Sequence, residues 1–254
     1  MSNVLALAGK ELRSYFASPI GYVVVGLFAF IFGWFFYTIL AFFLRSSLQM
    51  GQFGPQSVNV NQMMIRPVVL NASVILLFVL PLITMRTFAE EKRSGTIELL
   101  LTSPITDWQL VLGKFFGALG LVAIMLAVTL VNIALLFLYG NPEWTQIATS
   151  YLGFLLLAGC FIAVGLFIST LTKNQIVAAF GTFATFLMLW VVNWIGEGSG
   201  PVLQAVVSAL SITDHFEDFT KGVIDTKHLV YYFSFIAFGL FLTAKSIDAE
   251  RWKG

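Results

Sequence analysis

Charge is what this sequence has least of. Asp, Glu, Lys and Arg make up 11% of its 254 residues, hydrophobic residues 58%, and the charges sum to +1. A soluble chain carries about 25% charged residues, so the solvent for most of this one is lipid. With no basic excess and no dense Lys/Arg run, nucleic acid is excluded as a partner. The single cysteine, Cys160, excludes an internal disulfide and leaves no thiol pair for a metal; inside an apolar run it reads as a packing residue. The two histidines, His215 and His228, lack the helical spacing of a hydrolytic metal site. A phosphate-cradling G-x-x-x-x-G-K-[ST] loop is also missing. Gly9-Lys10-Glu11 and Gly113-Lys114-Phe115 lack both the earlier glycine and the hydroxyl, so the chain binds no ATP by that route. Gly198-Ser199-Gly200 lacks the G-x-S-x-G frame of a nucleophile elbow and reads as a turn. There is no fixed-period repeat, no low-complexity tract and no soluble domain.

What is present is a set of long charge-free runs. A helix needs about 20 apolar residues to cross roughly 30 Å of hydrocarbon, and a charge at its centre costs about 2.5–3.5 kcal/mol. The runs are Ile20 to Leu44, Val68 to Met85, Phe115 to Tyr139, Ile147 to Thr172, Gln175 to Gly196 and Leu229 to Ala244. Thr106 and Gln109 have capping-box spacing and open the third helix ahead of its run, with Lys114 at the membrane surface. His228 and Lys245 bracket the last run at the interfaces. Spans are therefore expected at about 20–44, 68–85, 110–139, 147–172, 175–196 and 228–247, in an all-α polytopic membrane protein of six transmembrane helices. Met1 to Ala8 carries no positive charge and the first run is longer than a signal core, so that run is expected to stay as an anchor.

Six spans put both termini on one side. That side holds ten of the 14 Lys and Arg residues: Lys10, Arg13, Arg86, Lys92, Arg93, Lys114, Lys173, Lys245, Arg251 and Lys253. Only Arg45, Arg66, Lys221 and Lys227 fall opposite. The excess predicts cytoplasmic termini. Residues 3–18 combine Val4, Leu5, Leu7, Leu12, Tyr15 and Phe16 with Lys10, Glu11 and Arg13 before Pro19, the pattern of an amphipathic helix in the cytoplasmic interface. Tyr22, Trp34, Trp190 and Trp194 fit aromatic anchors. Gly113, Gly117 and Gly120, and Ala178, Gly181 and Thr185, form small-residue stripes that allow close helix approach.

The spans carry no Asp, Glu, Lys or Arg away from their ends, whereas proton- and ion-coupled carriers keep an ionisable residue at mid-membrane. An energy source outside the membrane is favoured. The link between spans two and three, 86–105, mixes charge with order. Glu90, Glu91, Lys92 and Arg93 form a charged turn, Gly95 closes a helix in the left-handed conformation, and Thr96 to Leu101 begin another before Pro104. Opposite, in 197–227, Pro201 to Leu210 is apolar but only half a membrane long, which suits a re-entrant segment. It is followed by Asp214, His215, Phe216, Glu217 and Asp218, read either as a ring around an exit or as an exposed acidic loop capped by Thr213.

Glu90-Glu91-Lys92-Arg93-Ser94-Gly95-Thr96-Ile97-Glu98 resembles the acidic-Lys-x-x-Gly-Thr-hydrophobic-Glu signature of type 2 ABC exporter permeases, the ABC-2 family, continued by Leu100 to Ile105. Lys10-Glu11-Leu12 through Ser18-Pro19-Ile20-Gly21-Tyr22, and His215-Phe216 with Phe219 and Lys221 to Asp225, resemble the gliding-motility-associated branch. The resemblance implies a cytoplasmic coupling helix in 86–105 that seats on a separate ATPase, with Glu90, Glu91, Lys92, Arg93, Gly95, Thr96 and Glu98 as its coupling residues. It also implies two copies of that ATPase holding ATP and Mg, no cofactor on this chain, and a second permease chain, identical or related. Spans one and five would lie near the dimer axis, in the cell inner membrane. An accessory periplasmic or membrane protein is compatible with it. The chain would be a non-catalytic transport subunit of an exporter. Two other readings compete: a membrane scaffold recruiting partners through the 86–103 loop, and a lipid-modifying enzyme using Asp214, His215 and Glu217.

Overall fold

Among the described residues every regular element is helical. The computed structural model describes residues 2–50, 60–101, 104–139, 142–196 and 200–251. The helices are α1 (Ser2–Ala17), α2 (Pro19–Met50), α3 (Arg66–Thr84), α4 (Ala89–Ser94), α5 (Ile97–Leu101), α6 (Asp107–Tyr139), α7 (Trp144–Thr170), α8 (Gln175–Gly196), α9 (Pro201–Leu210), α10 (Ile212–Thr220) and α11 (Thr226–Arg251). A π-helical turn, Asn61–Ile65, leads into α3. Six helices, α2, α3, α6, α7, α8 and α11, are long and apolar enough to cross a membrane.

Local chemistry accounts for the boundaries. Pro19 has no N–H to continue α1 and a backbone torsion suited to a first helical turn, so the chain breaks at Ser18 and restarts as α2. Helix α2 runs past Leu44 and through Arg45 to Met50; its 32 residues span about 48 Å, well beyond a hydrocarbon core. The capping box at α6 is formed: Thr106 N donates to Gln109 Oε1 and Gln109 N to Thr106 Oγ1, both at 3.3 Å. Between α4 and α5, Gly95 takes φ +73°, the left-handed closure expected of it, with open space around it.

The core is built on α3 and α7. Two thirds (67%) of their apolar windows are buried, against 22% for α2 and 17% for α8. Helix α7 therefore occupies the middle, packed by α3, α6, α8, α10 and α11, while α2 and α8 leave most of their surface facing outward. Phe161 of α7 stacks on Phe186 of α8 with ring centroids 4.3 Å apart, and Cys160 is fully buried, as a packing residue should be. Tyr22 and Trp34 lie on the outward surface of α2. The Trp194 side chain and Glu197 lie outside the described residues.

Helix α1 lies on α6 rather than standing apart from the bundle. A Cβ on Gly113 would fall 2.5 Å from Leu7 Cβ, and one on Gly117 2.6 Å from Glu11 Cβ. The Gly113/Gly117 stripe thus packs α1 and α6 within one chain, and Gly120 meets Leu12 at an ordinary 3.7 Å. Where lipid tails give no hydrophobic gain for helix association, such close approach supplies the dispersion contact that does.

Candidate functional site

Polar side chains gather at the two ends of the bundle. The end bearing both termini collects α1, α4, α5, the start of α6 and the last turns of α11. A sharp turn from Met85 to Phe88 swings the chain out of α3 into α4. Its exit into α4 is held from α7: Ser169 Oγ accepts from Phe88 N at 3.1 Å and from Ala89 N at 3.0 Å. The orientation of α4 is thereby set by the central helix.

Lys114, expected at the membrane surface, is buried inside the protein. Its side chain is 2% exposed, with Nζ 2.9 Å from Glu11 Oε1 of α1, 2.6 Å from Glu91 Oε1 of α4, and 5.0 Å from the centre of the Phe88 ring. Seven residues into α6, the ammonium is too deep beneath α1 and α4 to reach water, and two carboxylates come to it instead. A buried cation persists only when so paired. Lys114 therefore ties α1, α4 and α6 at one point.

A second set of ion pairs ties in α11. Lys92 Nζ lies 2.5 Å from Glu250 Oε2 and also donates to the Thr170 carbonyl at the end of α7; the Lys92 side chain is 6% exposed. Arg251 Nη2 lies 2.9 Å from Asp107 Oδ1 at the start of α6.

The signature residues therefore divide by helical face. Glu91 and Lys92, expected to contact a partner, turn inward onto Lys114 and Glu250. Glu90, Arg93, Gly95, Thr96 and Glu98 are exposed, and so is Leu99, at 72%. Residues 102 and 103 of the 86–105 region lie outside the described residues. Sequence reasoning missed Ser169, Thr170, Glu250 and Arg251 as parts of this site; no local motif marks them.

At the other end, α9 and α10 fill the segment read as re-entrant. Helix α10 is capped by Ser211, not by the expected Thr213: Ser211 Oγ accepts from Asp214 N at 3.2 Å. Phe216, expected in an exit ring, is 1% exposed and packs edge-on against Phe154 of α7. His228, expected at an interface, is 4% exposed. Its Nε2 lies 2.9 Å from Asp218 Oδ2 and its Nδ1 2.5 Å from His215 Nδ1; His215 Nε2 lies 3.2 Å from the Ala209 carbonyl. Tyr231 stacks on His215 at 4.0 Å. Glu217 pairs with Arg66 at 3.1 Å and with Lys221 at 3.4 Å. His215 and Glu217 are thus drawn to different partners, His215 to His228, Ala209 and Tyr231 and Glu217 to Arg66 and Lys221.

Burial holds the His215 imidazole below its ordinary value of 6.5, with the neighbouring His228 acting the same way and the Ala209 carbonyl and Asp214 opposing. The fold therefore favours the neutral ring. Its contribution is complete above pH 6.5 and is lost as the pH falls through the lowered value. Amide exchange of α10, corrected for intrinsic rates, is expected to be faster at about pH 5.5 than at about pH 7.5. His215→Phe, which keeps the stack on Tyr231, should abolish that difference; an unchanged pH response would place its origin elsewhere.

Comparison with known proteins agrees with the helical plan. The profile described as ABC-2 family transporter protein matches residues 5–244. The probable multidrug ABC transporter permease YbhR of Escherichia coli (strain K12) is 29% identical over 145 residues, 56% of this chain and 39% of that protein. The same permease from Escherichia coli O157:H7 matches to the same extent. The chain thus aligns with about 39% of the length of these curated relatives. Six apolar helices and a match running from α1 into α11 make this a multi-pass integral membrane protein. By that match, the chain belongs to the ABC-2 family of transporter proteins.

Proposed function

We propose that the chain is the permease subunit of an ATP-driven exporter. A separate cytoplasmic ATPase, two copies per complex and carrying ATP and Mg, seats on α4 and α5. The observation that supports this is the two-faced character of those short helices. Glu91 and Lys92 fasten them to α6 and α11, leaving Glu90, Arg93, Thr96, Glu98 and Leu99 on an outer face. A loop with no partner has no need of such anchoring, because surface charges are normally solvated. With the termini on the Lys/Arg-rich side, that face meets the cytoplasm.

A second permease chain, identical or related, covers α2 and α8, the two least buried helices of the bundle. The cargo is apolar. An open groove of about 280 Å³ between α2 and α3 is lined by Leu27, Ile31, Phe35, Phe78, Val79 and Leu82 among others, with Asn71 as its polar group. The related permease described as a probable multidrug transporter fits cargo of that chemistry. On this reading α9 and α10 close the far end of the pathway.

Co-purification from native membranes tests the ATPase contact. Glu90→Lys combined with Arg93→Glu reverses the two exposed charges of α4 and leaves both internal ties intact. The double variant should fold and insert at the normal level and lose the co-purifying ATPase by at least about tenfold, the equivalent of roughly 1.4 kcal/mol. Retention of the ATPase at the normal ratio would refute the contact.

A further inference from the structure

The cytoplasmic-side knot encloses a cleft of about 330 Å³ that the Lys114 pairing does not fill. This is at the small end of the roughly 300–1,000 Å³ found for small-molecule sites. Lys10, Tyr15, Arg86, Glu90 and Glu91 line it together with Lys114, and Ile20 borders it where the apolar run of α2 begins.

Three buried polar atoms of residues that line it have no hydrogen-bond partner among the described residues: Tyr15 Oη, Arg86 Nε and Glu91 Oε2. Tyr15 as a whole is only 9% exposed. An unpaired buried polar atom costs about 1–3 kcal/mol, so three around one cleft call for a ligand that answers all of them. Two of the three present an N–H or O–H donor, and the third is a carboxylate acceptor. The ligand must therefore carry an acceptor-rich group and a donor together.

Charge narrows the choice. The cleft is lined by three cations, Lys10, Arg86 and Lys114, and three carboxylates, Glu11, Glu90 and Glu91. A balanced wall suits a zwitterion rather than an anion. A phosphate accepts from Arg86, Tyr15 and Lys10, but by itself leaves Glu91 Oε2 without a donor. A primary ammonium supplies that donor; a quaternary ammonium has no N–H to give. The position fits a lipid source. Ser18 and Ile20, at the break between α1 and α2, are part of its lining, so acyl chains leaving past them would run along α2.

We propose that this cleft binds the phosphoethanolamine headgroup of a membrane phospholipid, with phosphate on Arg86, Lys10 and Tyr15 and ammonium on Glu91. Occupied, it would pin α1 to the turn after α3 through the lipid. The proposal does not depend on the ATPase reading, since it concerns a ligand of the isolated chain.

Native mass spectrometry of the purified full chain in mild detergent tests it, with dioleoyl phosphatidylethanolamine, phosphatidylcholine, phosphatidylglycerol and free O-phosphoethanolamine as probes. Phosphatidylethanolamine should be retained about tenfold better than either other lipid, the factor set by one charge-assisted hydrogen bond. Arg86→Gln and Lys10→Gln should each lower that retention by about tenfold. Tyr15→Phe keeps the ring and its packing and loses only the hydroxyl. It should lower retention by about three- to tenfold, and it decides the matter if the charge variants prove unstable. Equal retention of the three lipids, or undiminished retention in Tyr15→Phe, would overturn the proposal. Binding of free O-phosphoethanolamine as tightly as the lipid would overturn the lipid source and assign the cleft to a soluble phosphate.

Discussion

Lys114→Met is expected to be the most damaging single substitution in this chain. It removes the one cation between Glu11 and Glu91 and leaves two carboxylates facing each other under α1 and α4. Removing one partner of a buried ion pair costs about 3–5 kcal/mol, and about the lower end applies here because Glu11 and Glu91 keep part of their surface open to the cleft they share with Lys10 and Arg86. Thermal unfolding followed by the monodisperse fraction in detergent should show a large loss. Adding Glu91→Gln to Lys114→Met should recover part of it, by removing one of the two stranded charges. If the double variant is no more stable than Lys114→Met, the damage comes from lost packing of the lysine stem rather than from charge. In the exporter reading the same variant should export nothing even where it inserts, since α4 would no longer be held against α6.

Lys92→Glu should come second. The new carboxylate would face Glu250 from a site that is 6% exposed, so a favourable contact becomes a repulsion at the same distance. The reciprocal change, Glu250→Lys, should also be harmful, and the two together should restore a pair of opposite sign. Contacting residues typically show coupling of about 0.5–3 kcal/mol in such cycles, and this nearly buried pair should lie toward the upper end. The readout is the separation of spin labels on α5 and α11, narrow in the native chain and in the exchanged pair, broad in each single variant. Broad distributions in all three variants would mean that Lys92 acts mainly through the Thr170 carbonyl. The C-terminal turns of α11 would then be dispensable for placing α4.

Both expectations rest on contacts between residues far apart in the chain. Glu91 and Lys114 are 23 positions apart, Glu11 and Lys114 103, and Lys92 and Glu250 158. Nothing local announces them. Lys114 reads as an interfacial residue because it precedes a charge-free run, and only the packing of α1 and α4 over it makes it a buried, paired charge. His228 repeats the case at the other end, where α10 brings Asp218 and His215 over a residue that looks terminal on its own helix. The capping box of Thr106 and Gln109 and the left-handed Gly95 were legible, because each depends on the backbone within a few residues of itself. Ser211 took the cap expected of Thr213. Two hydroxyl residues near one helix start are equivalent by composition, and the local backbone path chose between them.

By itself the sequence determined the number of apolar helices, their approximate limits and the family signature between α3 and α6. These follow from the near absence of charge in long runs and from a charged segment too polar to enter lipid. Only the tertiary structure decided which face of that segment is spoken for. A helix of six residues shows its charges on all sides, and the choice of Glu91 and Lys92 as anchors depends on where α6, α7 and α11 stand around it. Burial of a charge is a property of neighbours brought together by packing, so composition along the chain carries no record of it.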